Sequence, residues 1–106
     1  MYDLQNWIND FLKNIVNSNT YAKNTYLAYR RDLYQFFEKT KKIDHKKDIS
    51  LAQNLMQRAL WVQKNVWNRL KPSSQQRKLA ALKTFFLYLE KRHLIDEPIY
   101  HYLHGP

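Results

Sequence analysis

The sequence predicts an all-α fold, in which four long helices and one short C-terminal helix form a compact bundle. Apolar residues recur three and four positions apart along most of the chain, which is the period of an amphipathic helix, and no alternating strand pattern is visible. One glycine and three prolines leave few tight turns, which argues against a β-rich fold. The 106 residues, of which 44% are hydrophobic, are enough for one domain with its own core.

The first two helices are predicted from their apolar faces. In the first, an apolar stripe runs with helical spacing over residues 4–16, and Asp3 precedes it as a candidate N-cap. Residues 17–20 are polar and predict a turn. The second helix is expected over about residues 22–40. Its core-facing side is predicted to contain Tyr26, Tyr29, Leu33, Phe36 and Phe37.

The third helix is predicted from its cap and its stripe. Ser50 is the candidate cap, and the helix is expected to extend to about Leu70. Trp61 and Trp67 fall off the main apolar stripe, so this helix either has two buried faces or breaks. Pro72 is expected to end it.

The last two helices are predicted from turn and capping residues. Ser73 or Ser74 is expected to cap a fourth helix over about residues 74–92, which buries an apolar stripe from Leu79 to Leu89. A short fifth helix is expected over residues 96–103, with Gly105 just past its end.

Positive charge is concentrated in the middle of the chain. The net charge is +9, yet residues 21–92 contain seventeen Lys and Arg against five Asp and Glu, and both ends are slightly acidic. Such asymmetry indicates a nucleic acid or another anionic partner. The absence of cysteine excludes disulfides, Cys-ligated zinc and a thiol nucleophile. No apolar run reaches membrane-spanning length and no signal peptide is visible, so we expect a cytoplasmic protein.

Three stretches carry a pattern that occurs in one protein family. NTYLAYRRDLYQFF (residues 24–37) has Asn-Thr, a Tyr four residues after the Thr, then Asp-Leu and an aromatic residue. RKLAALKTFFLYL (residues 77–89) is similar to Arg-x-Leu-Ser-Ala-Leu-Arg-x-Phe-x-x-Tyr-Leu, and departs from it at Ala80 and Lys83. LIDEPIYHYLHGP (residues 94–106) is similar to a linker that leads into a catalytic domain. Together they resemble the N-terminal core-binding domain of tyrosine recombinases, and of Xer-type recombinases and phage integrases in particular.

The resemblance implies a SAM-like core-binding domain over residues 1–104, with residues 105–106 starting a linker to a catalytic domain that this chain lacks. In such recombinases the two domains form a C-shaped clamp around the core-site duplex. The implied function is therefore DNA binding in support of DNA integration or recombination. The implied partners are double-stranded DNA and other recombinase subunits, in a tetramer on DNA, while the isolated domain is expected to be monomeric.

The resemblance also implies which residues face DNA, because the second and fourth helices of the family do so. On the second helix these are Lys23, Asn24, Leu27, Arg30, Arg31 and Tyr34. On the fourth they are Ser73, Ser74, Arg77, Lys78, Ala81, Lys83 and Thr84. Arg77 is the residue we expect to contact a base, since arginine binds guanine through two hydrogen bonds, and the small Ala80 and Ala81 beside it would allow close approach. Lys13, on the first helix and outside the basic middle of the chain, serves as a control, and its replacement by alanine is expected to leave DNA binding unchanged.

No catalytic residue is expected in this chain, because the family's Arg, Lys, His and Tyr set belongs to the catalytic domain. The chain itself is therefore expected not to be an enzyme. Asp32 and Glu38 do not form a convincing acid–base pair, and Asp32 is expected to pair with a nearby Lys or Arg. His101 and His104 share a helical face without an obvious third ligand, so no metal or other cofactor is expected, and no small-molecule substrate.

Two other classes of function remain open. One is a basic helical protein-interaction module that binds an acidic partner. The other is a helix-turn-helix regulator, which predicts a short turn that often contains glycine, and the low glycine content argues against it.

Overall fold

The fold is described by a computed structural model for residues 3–18, 23–43, 49–99 and 103. Four helices follow one another: α1 (Leu4–Ser18), α2 (Lys23–Lys39), α3 (Leu51–Asn65) and, after a 3₁₀ turn at Trp67–Arg69, α4 (Pro72–Lys91). All regular structure in these ranges is helical, so the all-α prediction is confirmed. Helix α2 contacts each of the other three helices and lies at the centre of the bundle.

One apolar cluster holds the four helices together. Phe11 of α1 packs against Phe85 and Tyr88 of α4, with ring centroids 5.5 and 5.3 Å apart. Phe36 of α2 packs edge-on against Phe86 of α4 at 6.2 Å. Edge-on and tilted rings bring the positive edge of one ring against the negative face of the next, which stabilises the pair beyond the area it buries. The apolar stripes predicted for α1, α2 and α4 therefore supply the core, although Tyr26, Tyr29 and Phe37 are only partly buried against it and Val16 is 53% exposed.

The start of three helices can be compared with the predicted caps. Asp3 accepts a hydrogen bond from the Asn6 backbone N–H at 3.2 Å, and Ser50 forms a reciprocal capping box with Gln53, so both predicted caps are confirmed. The prediction that Ser73 or Ser74 caps α4 is wrong. The helix begins two or three residues earlier, at Pro72, because proline has no N–H to satisfy and its fixed φ suits the first helical position.

Helix α3 is shorter than predicted, because it breaks. It ends at Asn65, and the 3₁₀ turn that follows carries Trp67 into the core, where it is 1% exposed. On a continuous helix Trp67 would lie off the apolar stripe. The break therefore allows the largest side chain of this segment to be buried, and Pro72 starts the next helix instead of ending this one.

Helix α4 ends in a Schellman motif. The N–H groups of His93 and Leu94 donate to the carbonyl groups of Glu90 and Leu89, both at 3.0 Å. His93 has φ of 57°, the left-handed conformation that glycine usually supplies. The chain then returns to the core through Ile95, Ile99 and Leu103.

The predicted short fifth helix is only partly covered. Residues 96–99 contain no α-helical turn, and the rest of that prediction, with Gly105, His101 and His104, lies outside the described residues. Within the described part of the chain, no helix is both long enough and apolar enough to cross a membrane.

Candidate nucleic-acid interface

A buried carboxylate lies between α2 and α4. Asp32 is completely buried, and Lys78 Nζ lies 2.7 Å from its Oδ1 atom. Lys78 is itself 7% exposed. The predicted pairing of Asp32 with a basic residue is therefore confirmed, and it joins the two helices from inside the bundle.

The same lysine is held by a second set of contacts. Gln35 Oε1 accepts hydrogen bonds from Lys78 Nζ at 3.0 Å and from the Trp67 indole at 2.9 Å. Lys78 Nζ also lies 5.5 Å from the centre of the Trp67 ring. The break in α3 thus places Trp67 against the Asp32–Lys78 pair. Packing and hydrogen bonds fix this pair in place.

Two surface arginines share this buried carboxylate. Arg31 Nε lies 3.6 Å from Asp32 Oδ1, and Arg77 Nε lies 3.6 Å from Oδ2. Their side chains are 62% and 46% exposed. Arg31 of α2 and Arg77 of α4 are therefore brought together at the surface, one on each side of a buried negative charge. We call them the arginine pair.

Apart from Arg31, four of the predicted second-helix residues line two surface cavities. Arg30 and Tyr34 line a surface cavity of about 420 Å³ between α1 and α2, where Tyr34 donates a hydrogen bond to Asn9. Lys13 of α1 lines the same cavity as Arg30, so it is not a control residue remote from the basic second helix. Lys23 and Leu27 line a neighbouring cavity beside Val16.

Two predicted fourth-helix residues are buried and do not belong to an exposed face. Lys78 is 7% exposed and Ala81 is 0% exposed. The helical period contained the signal, since Lys78 precedes Leu82 by four residues and Ala81 precedes Phe85 by four. The family resemblance instead implied that both face DNA, and that expectation missed that both lie on the buried arc.

The remaining predicted residues keep accessible surface. Asn24 and Ser73 are exposed, while Ser74, Lys83 and Thr84 are half-buried. The Thr84 hydroxyl donates to the Ala80 carbonyl group at 2.9 Å, which leaves its oxygen free to accept. The exposed Ala80 lies between Arg77 and Thr84 on α4, as predicted.

The charge of α2 and α4 is strongly positive. The two helices contain eight Lys and Arg and three Asp and Glu. One of the three acids is the buried Asp32, and Glu38 pairs with Lys41 at 3.2 Å. The surface around the arginine pair is therefore suited to an anion. No group of three possible metal-binding side chains occurs in the described ranges.

The comparison with protein families agrees with this arrangement. Residues 8–93 match the model of the phage integrase N-terminal SAM-like domain, and the match includes α2, α3, α4, most of α1, the arginine pair and Asp32. No curated protein and no solved structure matches the chain. The matched region covers most of the 106 residues and contains both helices on which the basic surface lies. The chain therefore belongs to the family of phage integrase N-terminal SAM-like domains.

Proposed function

We propose that this chain is the DNA-binding domain of a tyrosine recombinase or integrase, and that it holds one side of the core-site duplex as half of a C-shaped clamp. The observation that carries the proposal is the arginine pair, Arg31 and Arg77, on the two helices that carry the family pattern. Two adjacent, exposed guanidinium groups on a positive surface suit the phosphate backbone of duplex DNA.

The contacts divide into two kinds. Phosphate contacts supply affinity and register, whereas contacts to base edges supply sequence preference. Arg31, Lys83 and the hydroxyl groups of Ser73 and Thr84 are proposed to contact phosphate and sugar. Arg77 is proposed to reach a base edge as well, because the exposed Ala80 beside it lets α4 approach the groove closely.

The larger assembly is part of the proposal. Residues 1–104 would form the core-binding domain, followed by a linker to a catalytic domain that closes the clamp from the other side of the duplex. The complete protein would carry out DNA integration or recombination in the cytoplasm, with several subunits together on DNA. This division of contacts predicts weak binding by the 106-residue chain alone, because half of the anchors and the effective concentration supplied by the linker are missing.

Fluorescence anisotropy with a labelled duplex tests the proposal. We expect a dissociation constant of roughly 10⁻⁴ to 10⁻⁶ M at physiological salt, with affinity that falls as salt rises. Unlabelled duplex should displace the probe at lower concentration than heparin does, when both are compared per charge. Equal displacement by heparin, or no binding to the duplex, would favour the protein-interaction module over the DNA-binding domain.

A further inference from the structure

We propose that Asp32 is a positioning residue that holds Arg31 and Arg77 as one binding site for a single DNA phosphate. This inference rests on the proposed function and deepens it. It assigns a role in DNA binding to a residue that cannot itself touch DNA, since Asp32 is 0% exposed.

The balance of charge around the carboxylate favours binding of an anion. Lys78 alone neutralises Asp32 inside the protein, at 2.7 Å. The two arginines add two further positive charges at 3.6 Å, and both are substantially exposed. Three cations around one anion leave an excess of two positive charges, and that excess lies at the surface. A phosphodiester is an anion that such a site would bind.

The two arginines face the carboxylate in the same way. In both, Nε is the nitrogen that pairs with Asp32. A guanidinium group held through Nε keeps its two terminal amino groups available, and their fork matches the oxygens of a phosphate. Neither arginine forms another ion pair with a residue in the described ranges.

One oxygen of the carboxylate faces Arg77 without a hydrogen bond. Asp32 Oδ2 is buried and makes no hydrogen bond to any residue that the structure describes, and Arg77 is the ion-pair partner that faces it. A distance of 3.6 Å exceeds that of a hydrogen bond, so the carboxylate attracts Arg77 without fixing it rigidly. Restricting a long side chain before binding lowers the entropy lost when it binds.

The sign of one substitution separates positioning from a general electrostatic field. Asp32→Asn adds one unit to the net charge, so a diffuse field would make DNA binding tighter. Positioning predicts weaker binding, by about three- to tenfold, which is within the range of coupling inside one salt-bridge network. Glu38→Gln is the matched control, because it removes an exposed acid from the same helix and adds the same charge. It should leave binding unchanged or tighten it.

A second variant keeps the proposal testable if Asp32→Asn fails to fold. In Asp32→Leu/Lys78→Met the buried pair is replaced as a whole, which proteins often tolerate, and the net charge is unchanged. Lys78→Met alone retains the carboxylate and serves as its reference. We expect the double replacement to weaken duplex binding relative to that reference. Circular dichroism first establishes that each variant is folded at the temperature of the measurement.

A double-mutant cycle completes the test. Arg77→Ala should weaken binding less in the Asp32→Leu/Lys78→Met protein than in the natural chain, because the carboxylate acts through Arg77. Equal losses in both proteins, or tighter binding of folded Asp32→Asn, would overturn the positioning role while leaving DNA binding itself in place. If the natural chain does not bind duplex DNA at all, the proposed function fails instead.

Discussion

Arg77 and Lys78 are neighbours in the sequence with opposite environments. Arg77 is nearly half exposed, whereas Lys78 is 7% exposed and directed at Asp32. Successive residues of a helix are rotated by about 100° around its axis, so adjacent basic residues can lie on different faces. One is therefore available to a ligand and the other belongs to the interior.

Replacing Arg77 tests the interface with little disturbance of the fold. Arg77→Ala should lower the free energy of unfolding by at most about 1 kcal/mol, as expected for an exposed ion pair. If Arg77 contacts a base, binding to the preferred sequence should weaken by about 1–3 kcal/mol, and binding to other sequences by less. If Arg77 contacts only phosphate, the substitution should weaken binding to all sequences equally and reduce the salt slope by about one unit. A salt series by fluorescence anisotropy measures both.

The control for that substitution is Lys64→Ala. Lys64 is exposed on α3 and is not part of the arginine pair. Unlike Lys13, it does not line the α1–α2 cavity. Lys64→Ala should change DNA binding little. A loss equal to that of Arg77→Ala would mean that charge acts as a diffuse field and that DNA does not lie against α2 and α4.

Replacing Lys78 should lower stability and leave the salt slope of DNA binding unchanged, which is the opposite of the result expected for Arg77. Lys78→Met keeps the length of the side chain and leaves Asp32 without its buried partner. Breaking a buried pair in this way destabilises proteins by about 3–5 kcal/mol, and we expect the lower end because the two arginines still face the carboxylate. Urea denaturation measures the change. The salt slope of DNA binding by the folded variant should stay the same; a decrease of one unit would show that Lys78 contacts phosphate after all.

At the scale of the element, local chemistry sets where each helix begins and ends. The sequence reveals this chemistry at some helix ends and not at others. The capping box of α3 follows from Ser50 and Gln53, three residues apart. The end of α4 cannot be read from the sequence in this way, because His93 occupies a left-handed position at which glycine is the usual residue. The hydrogen bonds of the Schellman motif hold the histidine there.

His93→Gly should stabilise the protein. The left-handed conformation costs a residue other than glycine about 1–2 kcal/mol, part of which glycine loses again through its greater freedom in the unfolded chain. We expect a net gain of up to about 1 kcal/mol, which corresponds to a rise of about 4–8 °C in Tm for a domain of this size. Thermal denaturation followed by circular dichroism measures it. His93→Ala is the control and should not raise Tm; a similar rise would locate the strain elsewhere.

At the scale of the whole molecule, the chain corresponds to the N-terminal domain of phage integrases, and not to the domain of that family that carries out strand cleavage. Its basic surface is proposed to hold DNA, but holding a phosphate is different from attacking it. Cleavage by a tyrosine requires a nucleophile whose proton is removed and a leaving group that is stabilised.

The chain should therefore form no covalent product with DNA. Incubation with a nicked core-site substrate should yield no adduct that survives denaturing electrophoresis. Addition of the catalytic domain on the same polypeptide should restore adduct formation and raise affinity. A denaturant-resistant adduct with the 106-residue chain alone would show that one of its own tyrosines is a nucleophile.

The sequence by itself determined the fold class, most of the core and the family. Helical periodicity in α1, α2 and α4 is strong because each helix buries one continuous face, and a face repeats every 3.6 residues. The family pattern in residues 24–37 and 77–89 is local for the same reason, since each of these stretches lies within a single helix. The expectation that Asp32 pairs with a nearby Lys or Arg was also local, and the adjacent Arg31 lies 3.6 Å from its carboxylate.

Only the tertiary structure decided which partner Asp32 takes and which basic residues share a surface. Residues 32 and 78 are far apart in the chain, and their contact depends on how α2, α4 and the 3₁₀ turn pack together. The break at Val66 was foreseeable as one of two alternatives, but the choice depended on whether Trp67 could be buried against Gln35 and Lys78. Periodicity describes one helix at a time, whereas an interface built from two helices depends on their packing. That is why the arginine pair, and the separation of Arg30 and Tyr34 from it, emerge from the structure alone.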